Sequence, residues 1–355
     1  MRKIRKNNFM YKSNIYINPI SINSIKPKFR EGTGLDNITS LQLFLKAQGL
    51  NIKLGNTLKG GVDSQVYEAV LNFKKVVVKH TEDRGDKLFE PPFSPVDFYV
   101  ARENHNIDAK ILNLLSDSSI SVPKILHHFQ EQSTTIMDDL REDGFELLSN
   151  IIIKGGLNIN SASNIGKKLG QLCNFGQKLP EFDTVKNRYT QIFERGLELR
   201  LAYPNTQTEY LCVEKEFVNN VQGWMWPDGH PKNIFVDIKG DIRFIDFGGT
   251  YWGDQRFMLP NFLAHIVLFS LAGYLNKEDA VKYIYACVNG YRESQNIQED
   301  IFCKYLVMEI FHRSFGKWID GIDTPEQKLS CLSFALNMVK RNILDMNGLT
   351  SLLTS

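Results

Sequence analysis

The sequence predicts an α+β chain in two lobes, a small antiparallel β-sheet followed by a mostly helical remainder. Three observations carry this. Short runs rich in β-branched residues, broken by turn residues, crowd residues 58–79 and 122–137. From residue 160 onward apolar residues recur at helical spacing instead, as Ile165, Leu169, Leu172 and Phe175 do. One isolated hairpin pattern interrupts the helical part: Ile234-Phe235-Val236 and Ile242-Arg243-Phe244-Ile245 flank a Lys239-Gly240-Asp241 turn.

Size and composition narrow the classes. The 355 residues suffice for two cores, and 43% hydrophobic with 23% charged residues excludes a disordered chain. The longest apolar run, Leu259 to Leu275, carries Asn261 and His265 and is short for a membrane span, so it reads as a buried helix. No hydrophobic signal peptide opens the sequence, which fits a cytoplasmic protein. Cys173, Cys212, Cys287, Cys303 and Cys331 are odd in number and form no C-x-x-C pair, which argues for free thiols and against a zinc site. The 42 basic and 40 acidic residues nearly balance, but residues 1–30 hold eight basic side chains and no acidic one. Such an arm suits an anionic surface or nucleic acid; a disordered, solvated terminus is the preferred reading.

The elements then follow in order. Residues 1–34 are the arm, closed by Gly32 and Gly34. Residues 35–137 form the sheet-bearing lobe. Asp36-Asn37-Ile38-Thr39 caps a helix with an apolar face at Leu41, Phe44 and Leu45. Leu58 to Ala69, with Gly60-Gly61 and Ser64, reads as strand, tight turn, strand; the glycines let backbone N–H groups approach phosphate oxygens. Val76-Val77-Val78-Lys79 is the next strand, and a helix runs from about Phe98 to Leu115. Val122 to Leu126 and Thr134 to Met137 complete the sheet, and Met137-Asp138-Asp139-Leu140 links it to the helical lobe, residues 138–355.

Within the interrupting hairpin three polar groups fall at fixed intervals: Asp228, Asn233 five residues on, and Asp246 thirteen further. A carboxylate and an amide on adjoining strand ends, with a second carboxylate on the preceding loop, suit Mg²⁺, a hard cation that takes one or two protein oxygens and fills its shell with phosphate and water. They equally suit phosphoryl transfer, in which the first Asp accepts the hydroxyl proton. An acidic hairpin with satisfied turns is the alternative. The segment resembles the catalytic and metal loops of the aminoglycoside phosphotransferase and choline kinase group, which has a protein-kinase-like fold. Asp228, His230, Pro231, Asn233, Ile245, Asp246, Phe247 and Gly248 match its H-G-D-x-H-P-x-N and I-D-F-G pattern, and Trp226 stands where the group has His. Agreement in order extends over about residues 38–345.

That resemblance implies an ATP- and Mg²⁺-dependent kinase acting on a hydroxyl of a small polar molecule. It implies Asp228 as catalytic base and Asn233 and Asp246 as metal ligands. Lys79, Gly60, Gly61 and Ser64 would hold phosphates, and Met137 and Asp139 would hold adenine through the main chain. An acid on the helix after Lys79 would orient it. Glu103 and Asp108 compete; Asp108 is favoured by its Asp-Ala-Lys-Ile-Leu context and by the stripe that Leu112 and Leu115 complete. Asp254 is a candidate brace for the catalytic loop, with an exposed turn carboxylate as the other reading. The V-V-V-K-H and M-D-D-L segments, with Phe311 to Gly316, partly resemble methylthioribose kinases, which implies substrate contact by Arg313, with a structural ion pair as its more common reading; His230 is a second candidate substrate residue, and Gly248 and Asn233 depart from that family. A nucleotide-binding pseudokinase acting through partners is the rival function. A protein kinase is disfavoured, because neither H-R-D nor A-P-E is present.

Overall fold

A computed structural model describes residues 37–58, 64–81, 99–178, 213–315, 322 and 324–355. The basic arm, Gly60, Gly61 and most of residues 186–220, where further helices are expected, lie outside the described residues.

The first helix, α1 (Ile38–Ala47), starts where Asn37 accepts a hydrogen bond from the Ser40 amide at 2.9 Å. It buries Leu41 and Leu45, and the Gln42 amide clamps strand β1 (Ile52–Leu58) by bonding Ile52 O and Leu54 N, both at 2.7 Å. Strands β2 (Gln65–Leu71) and β3 (Lys74–His80) follow, then helix α2 (Tyr99–Ser116), β4 (Ile125–Phe129) and β5 (Thr134–Asp138). The five strands form one antiparallel sheet in the order β1-β2-β3-β5-β4. Strand β4 begins at Ile125 rather than at Val122; Pro123 has no N–H to give a ladder.

The two faces of this sheet differ because strand residues alternate. Val76, Val78 and Ile136 point to the α1 side and form an apolar core with Leu41, Leu45, Leu54 and Tyr67. Lys79 pairs in register with Val66 and Thr135, so those three side chains share the opposite face, toward α2. Among the described residues no α2 side chain belongs to the α1-side core. The apolar stripe of α2, Ile111, Leu112 and Leu115, packs instead into the core of the helical part.

That larger part begins with a 3₁₀ turn at Leu140–Asp143, then β6 (Glu146–Leu147), α3 (Leu148–Ile153), α4 (Ile159–Gly176) and α5 (Val213–Asn219). Strand β7 (Gly223–Met225) pairs with β10 (Tyr251–Gly253), and between them lie β8 (Ile234–Val236) and β9 (Ile242–Phe244), with β6 against β8. Helices α6 (Met258–Leu271), α7 (Lys277–Arg292), α8 (Glu299–Phe315), α9 (Pro325–Lys340) and α10 (Met346–Thr354) complete the chain. The apolar run picked out in the sequence is α6, buried at every position from Met258 to Ser270. No described helix is long and apolar enough to cross a membrane. Cys173, Cys287, Cys303 and Cys331 are free and buried.

Candidate active site

The hairpin β8–β9 pairs Ile234 with Phe244 and Val236 with Ile242. Its turn is set by Asp237, whose carboxylate accepts from the Lys239 and Asp241 amides at 2.9 and 2.8 Å. One further ladder bond, Ile245 N to Asn233 O at 3.0 Å, joins the hairpin ends and brings Asn233 beside the residue that precedes Asp246. The loop before the hairpin is tight: His230 N donates to Asp228 O and Asn233 N to His230 O, both at 2.8 Å. The Asn233 amide donates to Asp228 O at 3.0 Å, which fixes its orientation and turns Oδ1 away from that bond.

Asp246 takes the left-handed conformation, φ 62°, a costly choice for a non-glycine residue. Four contacts hold the segment there. Its carboxylate meets Lys79 Nζ at 2.8 Å. The next amide, Phe247 N, donates to Asp108 Oδ1 at 2.7 Å. The other oxygen of Asp108 meets Lys79 at 2.7 Å. Finally Trp226 Nε1 donates to the Asp246 carbonyl at 2.8 Å, with the indole stacked on Phe247 at 4.9 Å. Trp226 therefore supplies an N–H at the position where a His was expected, and it is fully buried between Phe244 and Phe247.

The glycines after Asp246 pack closely, Gly248 against backbone and Gly249 against a side chain. A Cβ on Gly248 would lie 2.9 Å from the Asn104 carbonyl of α2, and one on Gly249 would lie 2.3 Å from Asp228 Oδ2. The second distance also locates Asp228: its carboxylate rests on the metal-loop backbone, a few residues past Asp246.

Electrostatics follow from the pairing. Burial pushes the Lys79 ammonium down, but Asp108 and Asp246 outweigh it and raise it well above its ordinary value. Burial also lifts the Asp246 carboxyl, and Lys79 outweighs that, holding it below the usual carboxylate range. For Asp108, which is almost fully buried, burial pushes the carboxyl up against the pull of Lys79. Asp246 keeps a side chain that is 36% exposed, so one face of the carboxylate remains open to a cation.

Of the two acids competing for Lys79, Asp108 meets it, while Glu103 is exposed. Ser64 lies within 3.0 Å of the Thr81 hydroxyl. Met137 is buried in β5 between Val77 and Ile125. The Asp139 carboxylate caps the 3₁₀ turn, accepting from Arg141 N at 3.0 Å and from its guanidinium at 2.8 and 2.6 Å, so only its main chain is left for a ligand. Asp254 is fully buried but is spent elsewhere: it binds Tyr305, Asn220 and Arg256 at 2.6, 3.0 and 2.6 Å. The catalytic loop is braced instead by Asn261, whose amide donates to Pro227 O at 2.7 Å from inside α6. Arg313 forms a buried i,i+4 pair with Glu309 at 2.7 Å. His230 packs against His265 at 5.4 Å between ring centroids, and both His230 and Arg313 act electrostatically on His265, so the two proposed substrate residues border one cluster.

Sequence reading missed Asn261, His265 and the donor role of Trp226. Asn261 and His265 are polar breaks in an otherwise apolar helix, which was a usable signal. Nothing local marks the reach of Trp226 to Asp246.

The comparisons with known proteins agree on the fold. No protein-family model and no curated protein sequence matches the chain. Among solved structures, a Ralstonia eutropha JMP134 protein assigned to the aminoglycoside phosphotransferases superposes with a TM-score of 0.51 and 12% identity, over 89% of this chain and 98% of the other. Choline kinase LicA of Streptococcus pneumoniae gives 0.50 and 15% over 85% and 98%. The amicoumacin kinase hAmiN, solved with AMP-PNP, Ca²⁺ and Ami, gives 0.50 and 13% over 87% and 96%. The chain thus shares the two-lobed α+β fold of these solved structures.

Proposed function

We propose that this chain is an ATP-dependent phosphotransferase whose acceptor is a hydroxyl of a small polar molecule. The observation that carries the reading is the convergence of Lys79 from the sheet with Asp246 and Asp108 at 2.8 and 2.7 Å, next to the Asp228–Asn233 loop. Small-molecule kinases among the structural neighbours support it. In this reading Lys79, Ser64 and the Gly60-Gly61 turn hold phosphates, and the main chain at Met137 and Asp139, where the lobes meet, holds adenine.

Asp246 and Asn233 fit Mg²⁺: a part-exposed carboxylate and an amide oxygen are hard donors, and few are needed when phosphate and water complete the shell. Among the described residues no cluster of three or more His, Cys, Asp or Glu could hold a metal without such help. When bound, the ion neutralises charge on the transferring phosphoryl group. Asp228 orients the acceptor hydroxyl and takes its proton; His230 and Arg313 are the candidates for acceptor contact. Positioning and preorganised charge carry most of the rate in this chemistry. The Trp226 bond to Asp246 supports a catalytic rather than a pseudokinase reading, since the site keeps its brace.

The test is ATP consumption across a panel of hydroxylated metabolites, with Asp228→Asn beside the parent chain. We expect turnover on at least one acceptor, and a loss of ~10²–10⁴ in the variant with nucleotide affinity kept. Near-normal turnover by Asp228→Asn would overturn the assignment.

A further inference from the structure

We propose that His105 is a positioning residue that docks α2 on the sheet so that Asp108 reaches Lys79, and that it does so only as the neutral imidazole. The inference rests on the phosphotransferase reading for its catalytic consequence.

The α1-side core lies on the far face of the sheet from α2, and on the near face polar bonds from His105 join the helix to the sheet. His105 is 3% exposed and lies one turn before Asp108, on the same side of the helix. Its Nδ1 is 2.9 Å from Thr81 Oγ1 and its Nε2 is 2.9 Å from Thr135 Oγ1. Both threonines share the Lys79 face of the sheet: Thr135 pairs with Lys79 in register, and Thr81 is two residues past it. The chain of bonds continues at both ends, from Thr81 to Ser64 at 3.0 Å and from Thr135 to His128 Nδ1 at 3.0 Å. Arg102 adds one bond to Ser133 at 3.1 Å. One imidazole therefore links α2 to β5, to the residue that follows β3 and, through Thr81, to Ser64.

A neutral imidazole has one donor and one acceptor, and two hydroxyls satisfy both. A second proton would strip the acceptor and add a cation in a crowd of bases. Lys79 and His80 act on His105 from β3, His128 from β4, where it stacks at 5.9 Å, and Arg102 from its own helix. Asp108, one turn on along the helix, is spent on Lys79 and the Phe247 amide. Burial first, and these charges second, hold the imidazole neutral. Forcing the proton on in acid would loosen α2 and turn Asp108 away from Lys79.

His105→Gln keeps a donor and an acceptor but cannot take a proton; His105→Phe fills the space with neither. Mg-ATP binding by equilibrium dialysis between pH 5 and 8, and hydrogen exchange of the α2 amides in the free chain, report on both. In the parent chain affinity falls, and α2 exchange corrected for the intrinsic pH dependence of amide exchange quickens, as pH drops below the ordinary histidine value. His105→Gln should bind near parent level at pH 7.5 and lose the acid limb. His105→Phe should bind about 3- to 10-fold more weakly at every pH, the loss of one or two hydrogen bonds. The titration of the nucleotide's own phosphate is common to all three chains. An acid limb of equal size in His105→Gln, or α2 exchange that ignores pH in the parent, overturns the proposal. Absence of nucleotide binding by the parent at any pH sinks the kinase reading instead, and exchange alone then decides the role of His105.

Discussion

Replacing Lys79 by Met removes the one cation held between two carboxylates, Asp108 at 2.7 Å and Asp246 at 2.8 Å. The side chain of Asp108 is 4% exposed and that of Asp246 36%, so Asp246 can rehydrate and Asp108 cannot. Breaking a buried pair by deleting one partner costs about 3–5 kcal/mol. With half the site open to water, the lower end, about 3 kcal/mol, is expected. The sign of the pH dependence separates a stranded charge from a simple packing loss. In the parent chain Lys79 holds the Asp246 carboxyl low, against burial. That stabilisation is present above the unfolded carboxyl value of about 3.9 and is lost as pH falls through the folded one. In Lys79→Met the pull is gone, and burial raises Asp108 against the Phe247 amide alone. Stability of the variant then rises as pH falls toward about 4, because the folded state takes up the proton. The gap between the two chains should be widest near neutral pH and narrow in acid. Lys79→Met with Asp108→Asn should recover part of the loss at neutral pH, since the second change removes the stranded charge. Thermal unfolding of the three chains at pH 8 and pH 5 measures this. A gap of equal size at both pH values, or no gap at pH 8, would refute the reasoning.

Trp226→Phe keeps an aromatic ring against Phe244 and Phe247 but deletes the donor to the Asp246 carbonyl. A loss of about 1–3 kcal/mol is expected, with a raised Mg²⁺ requirement in turnover assays; an unchanged Mg²⁺ titration counts against the brace. Gly248→Ala would press a methyl group to 2.9 Å from the Asn104 carbonyl, so α2 must shift; nucleotide affinity should fall, and a crystal structure of the variant with α2 unmoved would contradict this. At the β2–β3 turn, Asn72 and Phe73 both have positive φ, 47° and 68°, and Phe73 is 96% exposed. Phe73→Gly should relieve about 1 kcal/mol of left-handed strain, less the chain entropy of glycine, and raise the melting temperature with turnover unchanged; a lower melting temperature would say the exposed ring has a partner.

Whatever depends on neighbours along the chain could be read before folding. The hairpin at residues 234–244, the apolar helix at residues 258–271 and the helix carrying Asp108 are local periodicities, and they stand where alternation and helical spacing put them. The order of Lys79, Asp228, Asn233 and Asp246 was legible for the same reason, since fixed spacing survives in one dimension. Packing in three dimensions settled which acid meets Lys79, because Glu103 and Asp108 share a helix and are told apart solely by its rotation against the sheet. It likewise decided that Asn261 rather than Asp254 braces the catalytic loop, and that the Trp226 indole N–H meets the Asp246 carbonyl. These outcomes depend on distances between residues up to 167 positions apart, such as Lys79 and Asp246. No periodicity encodes such distances; packing of the two layers sets them.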